Sequence, residues 1–446
     1  MVRPIGIDLF SGAGGLSLGF EQAGFDVRAA VEIDPIHAAI HKYNFPDCAV
    51  LPRSVVGVTA DEIRNAAGLS ASDKVDVVFG GPPCQGFSMI GHRSMEDPRN
   101  RLVHEFVRIV AELDATYFVF ENVKGLTVGR HKAFLEELVQ AFDKAGYAVR
   151  TPWRVFDAAQ FGVPQHRQRL ILIGAKKGVA VPEYPNAITT PADAKIASDL
   201  PKGPTTKDAL GDLPDADQFA ALAGVDKIDG VRYGKPSKYA EEMRCLTNNG
   251  WHYGYPRNWA SNSLTSSWQT DHTAISRLRF SETKPGETEP ISRFYKLAAD
   301  GLSNTLRAGT DGARGAFTSP RPIHYQYNRC VTVREMARLH GFPDWFRFHS
   351  TKWHGARQIG NSVPPPFARA IAGALMEATG KLPTKPTQSL TLGDERLLYM
   401  TLSEAANHLG IEAPNSKRNQ RSGAKKRTQH ETEAARLAAI SGSADV

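Results

Sequence analysis

An apolar strand that runs directly into a cluster of glycines is the feature that most constrains the fold. Residues 5–10 have the pattern of a buried strand, residues 11–15 that of a tight turn, and residues 16–23 that of a helix. A further strand pattern follows at 27–33. Strand, glycine turn, helix and strand in this order predict a β-α-β unit, in which the two strands lie parallel.

The same alternation continues after this unit. Apolar runs occur at 75–79, 117–120 and 170–173, and helical patterns occur at 102–113 and 131–145. We therefore expect an α/β fold with a doubly wound, mostly parallel sheet. Such sheets bind ligands beyond the carboxyl ends of their strands, so the polar residues that follow the strands are the functional candidates.

Length and composition limit the class of protein. The 446 residues suggest two or three domains, at about 150 residues each. The net charge of +7 favours a polyanionic partner such as nucleic acid. No apolar run reaches the ~18 residues that a membrane span needs, which excludes a membrane protein. Because no secretion signal opens the sequence, we expect a cytoplasmic protein.

The glycine turn and the acidic residue after the second strand predict a cofactor site. Gly12, Gly14 and Gly15 let the backbone approach a ligand, but their spacing is not G-x-G-x-x-G and does not imply phosphate binding. Glu32 ends the next strand, where its carboxylate could accept hydrogen bonds from two ribose hydroxyls. This indicates a cofactor with a nucleoside. By itself, the motif could also be a tight turn beside a surface carboxylate.

Cys84 stands apart from the other cysteines, Cys48, Cys245 and Cys330. The four are far apart without a C-x-x-C motif, which argues against a disulfide framework and against a cysteine-rich zinc site. A lone cysteine is more often a buried hydrophobe than a nucleophile. Cys84, however, follows a predicted strand and two stiffening prolines, so its thiol would project where such sheets bind ligands. This context indicates a nucleophile.

The organisation of the chain changes after about residue 180. From there to about 325 the alternation is lost, which predicts a domain of irregular or short-stranded structure. Helical patterns return at 332–340 and 367–379. After a linker, a capping box at Thr401 and Glu404 predicts an amphipathic helix. Residues 417–427 hold six basic residues and no acidic ones, which predicts a solvated tail.

Six blocks of sequence resemble the motifs of the cytosine-C5 DNA methyltransferases, in the order of that family. They are Asp-Leu-Phe-Ser-Gly-Ala-Gly-Gly at 8–15, Gly-Pro-Pro-Cys-Gln-Gly-Phe-Ser at 81–88, Glu-Asn-Val at 121–123, Gln-x-Arg-x-Arg at 165–169, Arg-Glu-x-Ala-Arg-Leu-x-Gly-Phe-Pro at 334–343 and Gln-Ile-Gly-Asn-Ser-Val-Pro at 358–364. The resemblance implies a Rossmann-like, S-adenosylmethionine-dependent methyltransferase sheet with an inserted, irregular target-recognition domain. The expected boundaries are 1–185 and 323–380 for the catalytic domain, 186–322 for the target-recognition domain, and 381–446 for a linker, helix and basic tail.

The resemblance assigns the chemistry to Cys84, Glu121, Arg167 and Arg169. Cys84 would add as a thiolate to C6 of cytosine, which activates C5, a poor nucleophile by itself. Glu121 would hold the base and donate to N3, which requires a protonated carboxyl with a raised pKa. Arg167 and Arg169 would point the same way and fix the base carbonyl, the carboxylate or a phosphate. The base that removes the C5 proton is not identified, and an ordered water could serve.

The resemblance also implies S-adenosylmethionine as the cofactor. Its binding residues are expected to be Phe10, Gly12, Gly14, Gly15, Glu32, Ser54, Pro83, Asn361 and Ser362. Phe10 would stack on the adenine, Glu32 would bind the ribose, and the glycines would line the methionine end. At 54–55 this chain has Ser-Val where the family usually has Asp-Ile, so either Ser54 or Asp61 could bind the adenine amino group.

Double-stranded DNA is the implied partner. Because a stacked cytosine cannot reach Cys84, the base must flip out, and we expect Ile90 or a middle-domain residue to fill the gap. The candidate DNA contacts are Arg99 and Arg101 for phosphates, and Gln269, Arg277, Arg279, Thr305 and Arg307 for bases. Since six basic residues lie in the tail, the rest of the chain is nearly neutral. DNA contacts there must come from local clusters, first of all Arg99, Arg101, Arg167 and Arg169.

Several alternatives stay open at this level. One branch of the family methylates a transfer-RNA cytosine, although the long middle region suits the readout of duplex sequence better. A non-catalytic DNA-binding module is disfavoured because the cysteine, the glutamate and both arginines are present. The chain is similar to a monomeric, prokaryotic restriction-modification methyltransferase with a cognate restriction endonuclease, while an orphan enzyme is the other possibility. If the tail binds phosphates, deletion of 393–446 would flatten the salt dependence of DNA binding.

Overall fold

The computed structural model describes residues 3–83, 101–127, 131–310 and 318–413. At its centre is an eight-stranded sheet with the order β3-β2-β1-β4-β5-β8-β6, and β7 pairs with β8 beside this path. The strands are β1 (Ile5–Leu9), β2 (Asp26–Val31), β3 (Ala49–Leu51), β4 (Val77–Gly80), β5 (Tyr117–Val123), β6 (Tyr147–Val149), β7 (Arg154–Asp157) and β8 (Gln168–Lys176). All five predicted strands are therefore confirmed.

The direction of the strands differs between the two halves of the sheet. β1 to β5 pair in parallel, as their alternation with helices predicts. β8 runs antiparallel to β5, β6 and β7. Parallel neighbours need a long crossover, whereas only a short turn at Ala158–Phe161 and a few further residues join β7 to β8. The prediction of a parallel sheet therefore holds for the first five strands.

Helices cover both faces of this sheet. On one face lie α1 (Gly15–Ala23) and α11 (Pro365–Ala378), and Phe20 of α1 stacks on Phe79 with 3.7 Å between ring centroids. On the other face lie α3 (Ala60–Ala66), α4 (Arg101–Glu112) and α5 (His131–Lys144), where Phe142 stacks on Phe118 at 3.8 Å. Since successive strand residues point to opposite faces, β2, β4, β5 and β8 contribute to both apolar clusters, whereas β1 contributes Ile7 and Leu9 to the second cluster only.

Cap residues set the limits of the helices. α1 begins after Gly14 and ends at Gly24, which both have positive φ. α9 (Val333–His340) starts with a capping box of Thr332 and Glu335 and ends at Gly341. The predicted C-terminal helix is α12 (Leu402–His408), and its capping box of Thr401 and Glu404 is confirmed.

The middle region is irregular, as predicted. Its described part contains the short helices α6 (Thr206–Leu210), α7 (Lys238–Met243) and α8 (Ala274–Glu282) and a two-residue strand, β9 (Arg257–Asn258). Buried leucines of this region belong to the same apolar cluster as α1 and α11. Arg338 of α9 forms buried salt bridges to Asp212 of the middle region and to Asp344, which hold the middle region against α9. The irregular region is thus anchored through the core of the sheet domain.

The segment after residue 389 is more integrated than a linker. β10 (Leu390–Thr391) pairs with β9, and Leu397, Leu398 and Ala405 pack on the apolar face of α2 (Pro35–Asn44). A deletion from residue 393 would therefore remove packed residues together with the tail. Residues 417–427 lie outside the described part of the chain. In the part that is described, no helix is long and apolar enough to cross a membrane, and no cluster of His, Cys, Asp and Glu could hold a metal ion.

Candidate active site

The predicted site residues that are described gather at the carboxyl edge of the parallel strands. β1, β4 and β5 are neighbours in the sheet, so the segments that follow them meet. The glycine turn follows β1, the Gly81–Pro83 segment follows β4, and Glu121 lies near the end of β5. Asn122 Nδ2 donates to the Pro82 carbonyl at 3.0 Å, which fixes the proline segment beside β5.

The glycine turn leaves open space on one side and close packing on the other. Phe10 and Gly12 have φ of 63° and 55°, and a Cβ on Gly12 would meet no described atom within 4 Å. A Cβ on Gly15 would lie 2.4 Å from the Val363 carbonyl oxygen, so only glycine fits there. The turn can therefore admit a ligand at Gly12, while Gly15 fits against the loop that includes Ser362.

Glu32 lies directly at this turn, as the sequence predicts. Its carboxylate accepts the Gly12 N–H at 2.7 Å and the Asp34 N–H at 2.8 Å. Burial raises the pKa of Glu32, against the lowering effects of His37 and the two amides. Each carboxylate oxygen has a second lone pair, so the group can still accept hydrogen bonds from a ligand.

The remaining predicted cofactor residues have different local environments. Asn361, the last residue of α10 (Lys352–Asn361), is exposed, and Ser362 is buried with its hydroxyl donating to the Gln358 carbonyl. Ser54 follows β3, and its Oγ accepts the Val56 N–H at 3.2 Å. Asp61 is exposed in the first turn of α3. The choice between Ser54 and Asp61 stays a prediction.

A buried polar cluster that the sequence reading missed lies beneath the glycine turn. Ser17 Oγ lies 2.6 Å from Asp8 Oδ2 and 3.0 Å from His41 Nε2. Asp8 Oδ1 and the hydroxyl of Ser11 are buried without a hydrogen-bond partner among the described residues. Burial raises the pKa of Asp8 to about 8 and lowers that of His41 to about 3. Both groups are therefore largely neutral near pH 7.

Glu121 and Arg169 form an ion pair at the end of β5. Arg169 Nε lies 2.8 Å from Glu121 Oε1, and only 13% and 12% of the two side chains are exposed. Burial raises the pKa of Glu121, while Arg169 and Arg167 oppose this shift. A Cβ on Gly81 would lie 2.5 Å from Glu121 Oε2, so the glycine makes room for the carboxylate. Glu121 is thus held against the segment that leads to Cys84.

Arg167 has a different environment from Arg169. It precedes β8 and is fully buried, with its guanidinium donating to the Leu306 carbonyl at 3.0 Å and the Gly360 carbonyl at 2.8 Å. Burial lowers its pKa well below the usual range. In this arrangement Arg167 links two loops and is not accessible to a phosphate. The expectation that both arginines form an accessible basic cluster is not met for Arg167.

Three predicted residues, Cys84, Ile90 and Arg99, lie outside the described residues. The other three cysteines do not compete with Cys84 for the nucleophilic role. Burial raises the pKa of Cys48 and Cys245 well above the usual range and that of Cys330 to about 11. None of these three thiols forms a thiolate readily.

The candidate DNA contacts divide into two groups. Arg101 at the start of α4 is 63% exposed, and Thr305 and Arg307 are exposed where the chain returns to the catalytic domain. Gln269, in contrast, donates to the carbonyls of Ala216 and Phe219. The remaining two arginines, Arg277 and Arg279, bind Asp217 and the buried Glu289, respectively. The first group is exposed, although the Thr305 hydroxyl donates to the His166 carbonyl at 2.7 Å and Arg101 lies 3.9 Å from Glu105. The polar atoms of the second group would have to release their internal partners to bind DNA.

Gln165 and His340 also received no role from the sequence. Both are fully buried, and Gln165 Nε2 lies 2.9 Å from His340 Nδ1. Gln165 belongs to the Gln-x-Arg-x-Arg block, which was the signal that could have singled it out. His340 stands at one of the positions marked x in its block, so the sequence contained no signal that it contacts Gln165.

Comparison with known proteins places this geometry in a family. The family model of C-5 cytosine-specific DNA methylases matches residues 5–377. The type II methyltransferase M.XorII of Xanthomonas oryzae pv. oryzae is 56% identical over 412 residues, which cover 92% of this chain and 93% of the relative. The type II methyltransferase M1.HphI of Haemophilus parahaemolyticus is 35% identical over 380 residues, with 83% and 86% covered.

A solved structure gives the same picture for the fold. An E. coli prophage-encoded protein, described as a DNA modification methyltransferase, superimposes with a TM-score of 0.67 at 32% sequence identity. The match covers 85% of this chain and 100% of the other.

Proposed function

The chain belongs to the C-5 cytosine-specific DNA methylases, and from this premise we propose that it transfers the methyl group of S-adenosylmethionine to a cytosine flipped out of duplex DNA. The observation that carries the assignment of roles is the buried Glu121–Arg169 pair, which contacts the segment leading to Cys84. The glycine turn after β1 and Glu32 after β2 lie at the same edge of the sheet, two and three strands away from β5. Nucleophile, acid and methyl donor can therefore meet at one place.

The residues around the turn fit S-adenosylmethionine. Glu32 has free lone pairs for two ribose hydroxyls, Gly12 faces open space, and the buried Ser11 hydroxyl has no described partner. Phe10, Gly14, Gly15, Ser54, Pro83, Asn361 and Ser362 complete the proposed site. When bound, the cofactor supplies an electrophilic methyl group. The protein orients that methyl group toward C5 and excludes water.

Cys84 begins the proposed reaction by adding to C6 of the cytosine. A C6–S bond forms, and the electron pair of the C5–C6 double bond is displaced toward N3, so C5 becomes nucleophilic. Glu121, whose pKa is raised by burial, donates a proton at N3. Arg169 Nε, 2.8 Å from Glu121 Oε1, holds the side chain, and this contact can persist as a hydrogen bond when Oε2 carries the proton. C5 would take the methyl group that the bound cofactor supplies, which leaves S-adenosylhomocysteine as the second product. A base would then remove the C5 proton, the C5–C6 double bond would re-form as the C6–S bond breaks to release Cys84, and N3 would return its proton to Glu121.

Sequencing of modified cytosines tests this proposal. DNA from cells that express the protein is expected to carry 5-methylcytosine at one short sequence, and Cys84→Ser and Glu121→Gln are expected to abolish or strongly reduce it. Tritium from labelled cofactor should enter DNA and not RNA. Label in RNA alone would contradict the DNA substrate.

Covalent trapping tests the role of Cys84 separately. A duplex with 5-fluorocytosine at the methylated position cannot lose the C5 substituent, so the C6–S bond should persist. We expect a stable adduct with the wild type and none with Cys84→Ser. An active enzyme without an adduct at Cys84 would refute the covalent step.

The biological setting proposed is a restriction-modification system. Support comes from the relatives, which are named type II methyltransferases. We infer that the protein acts as a monomer and protects DNA from a cognate endonuclease with the same target sequence. DNA from expressing cells should resist an endonuclease of that specificity, and light scattering should give a mass near 48.7 kDa. Cleavage of fully modified DNA would argue for an orphan enzyme.

A further inference from the structure

Three segments from distant parts of the chain lie one against the next. The Arg307–Ala308 backbone lies against Gly360, where an added Cβ would approach the Ala308 nitrogen to 2.3 Å. Ser362 and Val363, which follow Gly360 closely in the chain, lie against Gly15 of the glycine turn. A Cβ added to Gly15 would lie 2.4 Å from the Val363 carbonyl oxygen. Close packing of this kind transmits displacement, because no free space absorbs it. The segment at 305–308 therefore cannot shift without moving residues 360–363, which comprise the last two residues of α10 and the start of the loop that follows it.

Gln165 binds the first of these segments. Its Oε1 accepts the Leu306 N–H at 3.0 Å, and its backbone forms a bridge to Ser303. With Oε1 occupied as an acceptor, the amide nitrogen of Gln165 faces His340 Nδ1 at 2.9 Å. The orientation of the Gln165 amide is thus determined by its two partners.

His340 connects Gln165 to the second segment. Its Nε2 lies 3.0 Å from the Ser362 carbonyl, which can only accept, so the proton must be on Nε2 and Nδ1 must accept from Gln165. Burial lowers the pKa of His340 well below its usual range, so the ring is neutral and this tautomer persists. Leu306, Gln165, His340 and Ser362 form one continuous series of hydrogen bonds.

Arg167 provides a second, parallel link. It donates to the Leu306 and Gly360 carbonyls, so the same two segments are held by a guanidinium as well as by the relay through His340. On the surface, Thr305 and Arg307 flank Leu306, while Asn361 lies between Gly360 and Ser362. Under the proposed function, on which this inference rests, the first pair contacts DNA and Asn361 contacts the cofactor.

We propose that Gln165 and His340 are positioning residues, whose buried hydrogen-bond relay couples cofactor binding at the loop 360–363 to DNA binding at 305–308. The relay fixes the position of each loop relative to the other. Cofactor binding then orders Thr305 and Arg307 for DNA, and by linkage DNA increases the affinity for the cofactor by the same factor. Neither residue touches the reacting atoms.

Two half-relay variants test the proposal. His340→Asn can reach Gln165 but not Ser362, and His340→Gln replaces the donor to Ser362 but not the acceptor for Gln165. Calorimetry would measure the Kd of S-adenosylhomocysteine without and with a duplex of the methylated sequence. We expect DNA to tighten binding at least about 5-fold in the wild type and clearly less in both variants, in which the Arg167 link alone remains.

His272→Gln is the matched control. His272 is another buried histidine, which accepts the Cys330 N–H at 3.1 Å outside the relay. The His272→Gln variant should lower the melting temperature about as much as the His340 variants do. It should keep the wild-type ratio between the Kd of S-adenosylhomocysteine without DNA and that with DNA. The proposal would be overturned if both His340 variants kept the wild-type ratio of the two Kd values. It would also be overturned if DNA did not change the Kd of S-adenosylhomocysteine in the wild type. A wild type without methyl transfer would instead refute the proposed function.

Hydrogen exchange on the wild type requires no variant. If the relay couples the two loops, S-adenosylhomocysteine alone should slow exchange of the Leu306 amide, although the cofactor loop is remote in sequence. Duplex alone should slow exchange at 360–363. Unchanged exchange at the remote segment in both experiments would also overturn the proposal, even if the His340 variants fail to fold.

Discussion

Substitution of Asp8 by asparagine should remove a pH dependence of stability that the wild type shows. Asp8 is fully buried beneath the glycine turn, and burial raises its pKa from 3.8 to about 8. Between these values the folded state keeps a proton that the unfolded state has lost. The free energy of unfolding therefore decreases as pH rises through this window, by about 1.4 kcal/mol per pH unit. From pH 6 to pH 7.5 the loss is about 2 kcal/mol.

Asp8→Asn is neutral at every pH and can still accept the hydrogen bond from Ser17. We expect the unfolding free energy of the variant to lack the decrease with pH that Asp8 causes in the wild type. Relative to the wild type, the variant should therefore become more stable as pH rises. The assay is urea denaturation followed by tryptophan fluorescence at pH 6 and pH 7.5. Asp47→Asn, at an exposed carboxylate, is the control and should follow the wild type.

Parallel loss of stability in the wild type and Asp8→Asn would refute the reasoning. Asp8 would then be ionised in the folded state, with a charge partner that compensates for its burial. The difference between the two proteins isolates Asp8 from other titrating groups, because those groups are common to both. The prediction therefore depends only on the burial of this carboxyl and on its hydrogen bond to Ser17.

Three further predictions concern the site and the tail. Arg169→Gln removes the charge that opposes the raised pKa of Glu121, so the alkaline decline of the methylation rate should move to higher pH, whereas Arg169→Lys should leave it in place. If the pH dependence of the methylation rate were unchanged in Arg169→Gln, Glu121 would not be the group that donates the proton to N3. Gly12→Ala should weaken S-adenosylhomocysteine binding at least about 10-fold and lower the melting temperature only through backbone strain at φ 55°, since its Cβ meets no described atom. Gly15→Ala should lower the affinity and, by a larger amount, the melting temperature, because its Cβ would meet the Val363 carbonyl. Calorimetry would measure the affinity of both variants and thermal melting their stability. If Gly12→Ala still bound S-adenosylhomocysteine tightly, the cofactor would not bind at the glycine turn. Deletion of 414–446, which spares the packed segment, should reduce the slope of log affinity against log salt by up to about 5 if all six basic residues of 417–427 bind phosphates. Equal slopes would show that the tail does not bind DNA.

The location of the catalytic edge could be predicted from the sequence because it depends on local patterns. Apolar runs that end in glycine, proline or acidic residues identify strands and the loops that follow them. Parallel strands bring these loops to one edge, so the proximity of Gly12 and Glu32 follows from the β-α-β pattern. The 2.7 Å hydrogen bond between the Gly12 amide and Glu32 agrees with this prediction.

The environments of individual charged side chains could not be predicted in the same way. Arg167 and Arg169 are two residues apart and identical in type, yet one is bound to the carbonyls of Leu306 and Gly360 and the other to Glu121. Arg277 has its partner at Asp217, in another part of the middle region. No periodicity in the sequence encodes such pairs.

The sequence by itself thus determined five strands of the sheet, six of the helices, one capping box, the family and the edge of the sheet proposed for the chemistry. These depend on interactions between near neighbours in the chain and on motifs that can be read directly. The tertiary structure decided which polar groups are accessible, that residues 390–409 pack on α2, and that His340 links two loops. The physical reason is burial: a side chain gains or loses its charge, its partners and its access to substrate through contacts with residues far away in sequence, which form only when the whole chain has folded.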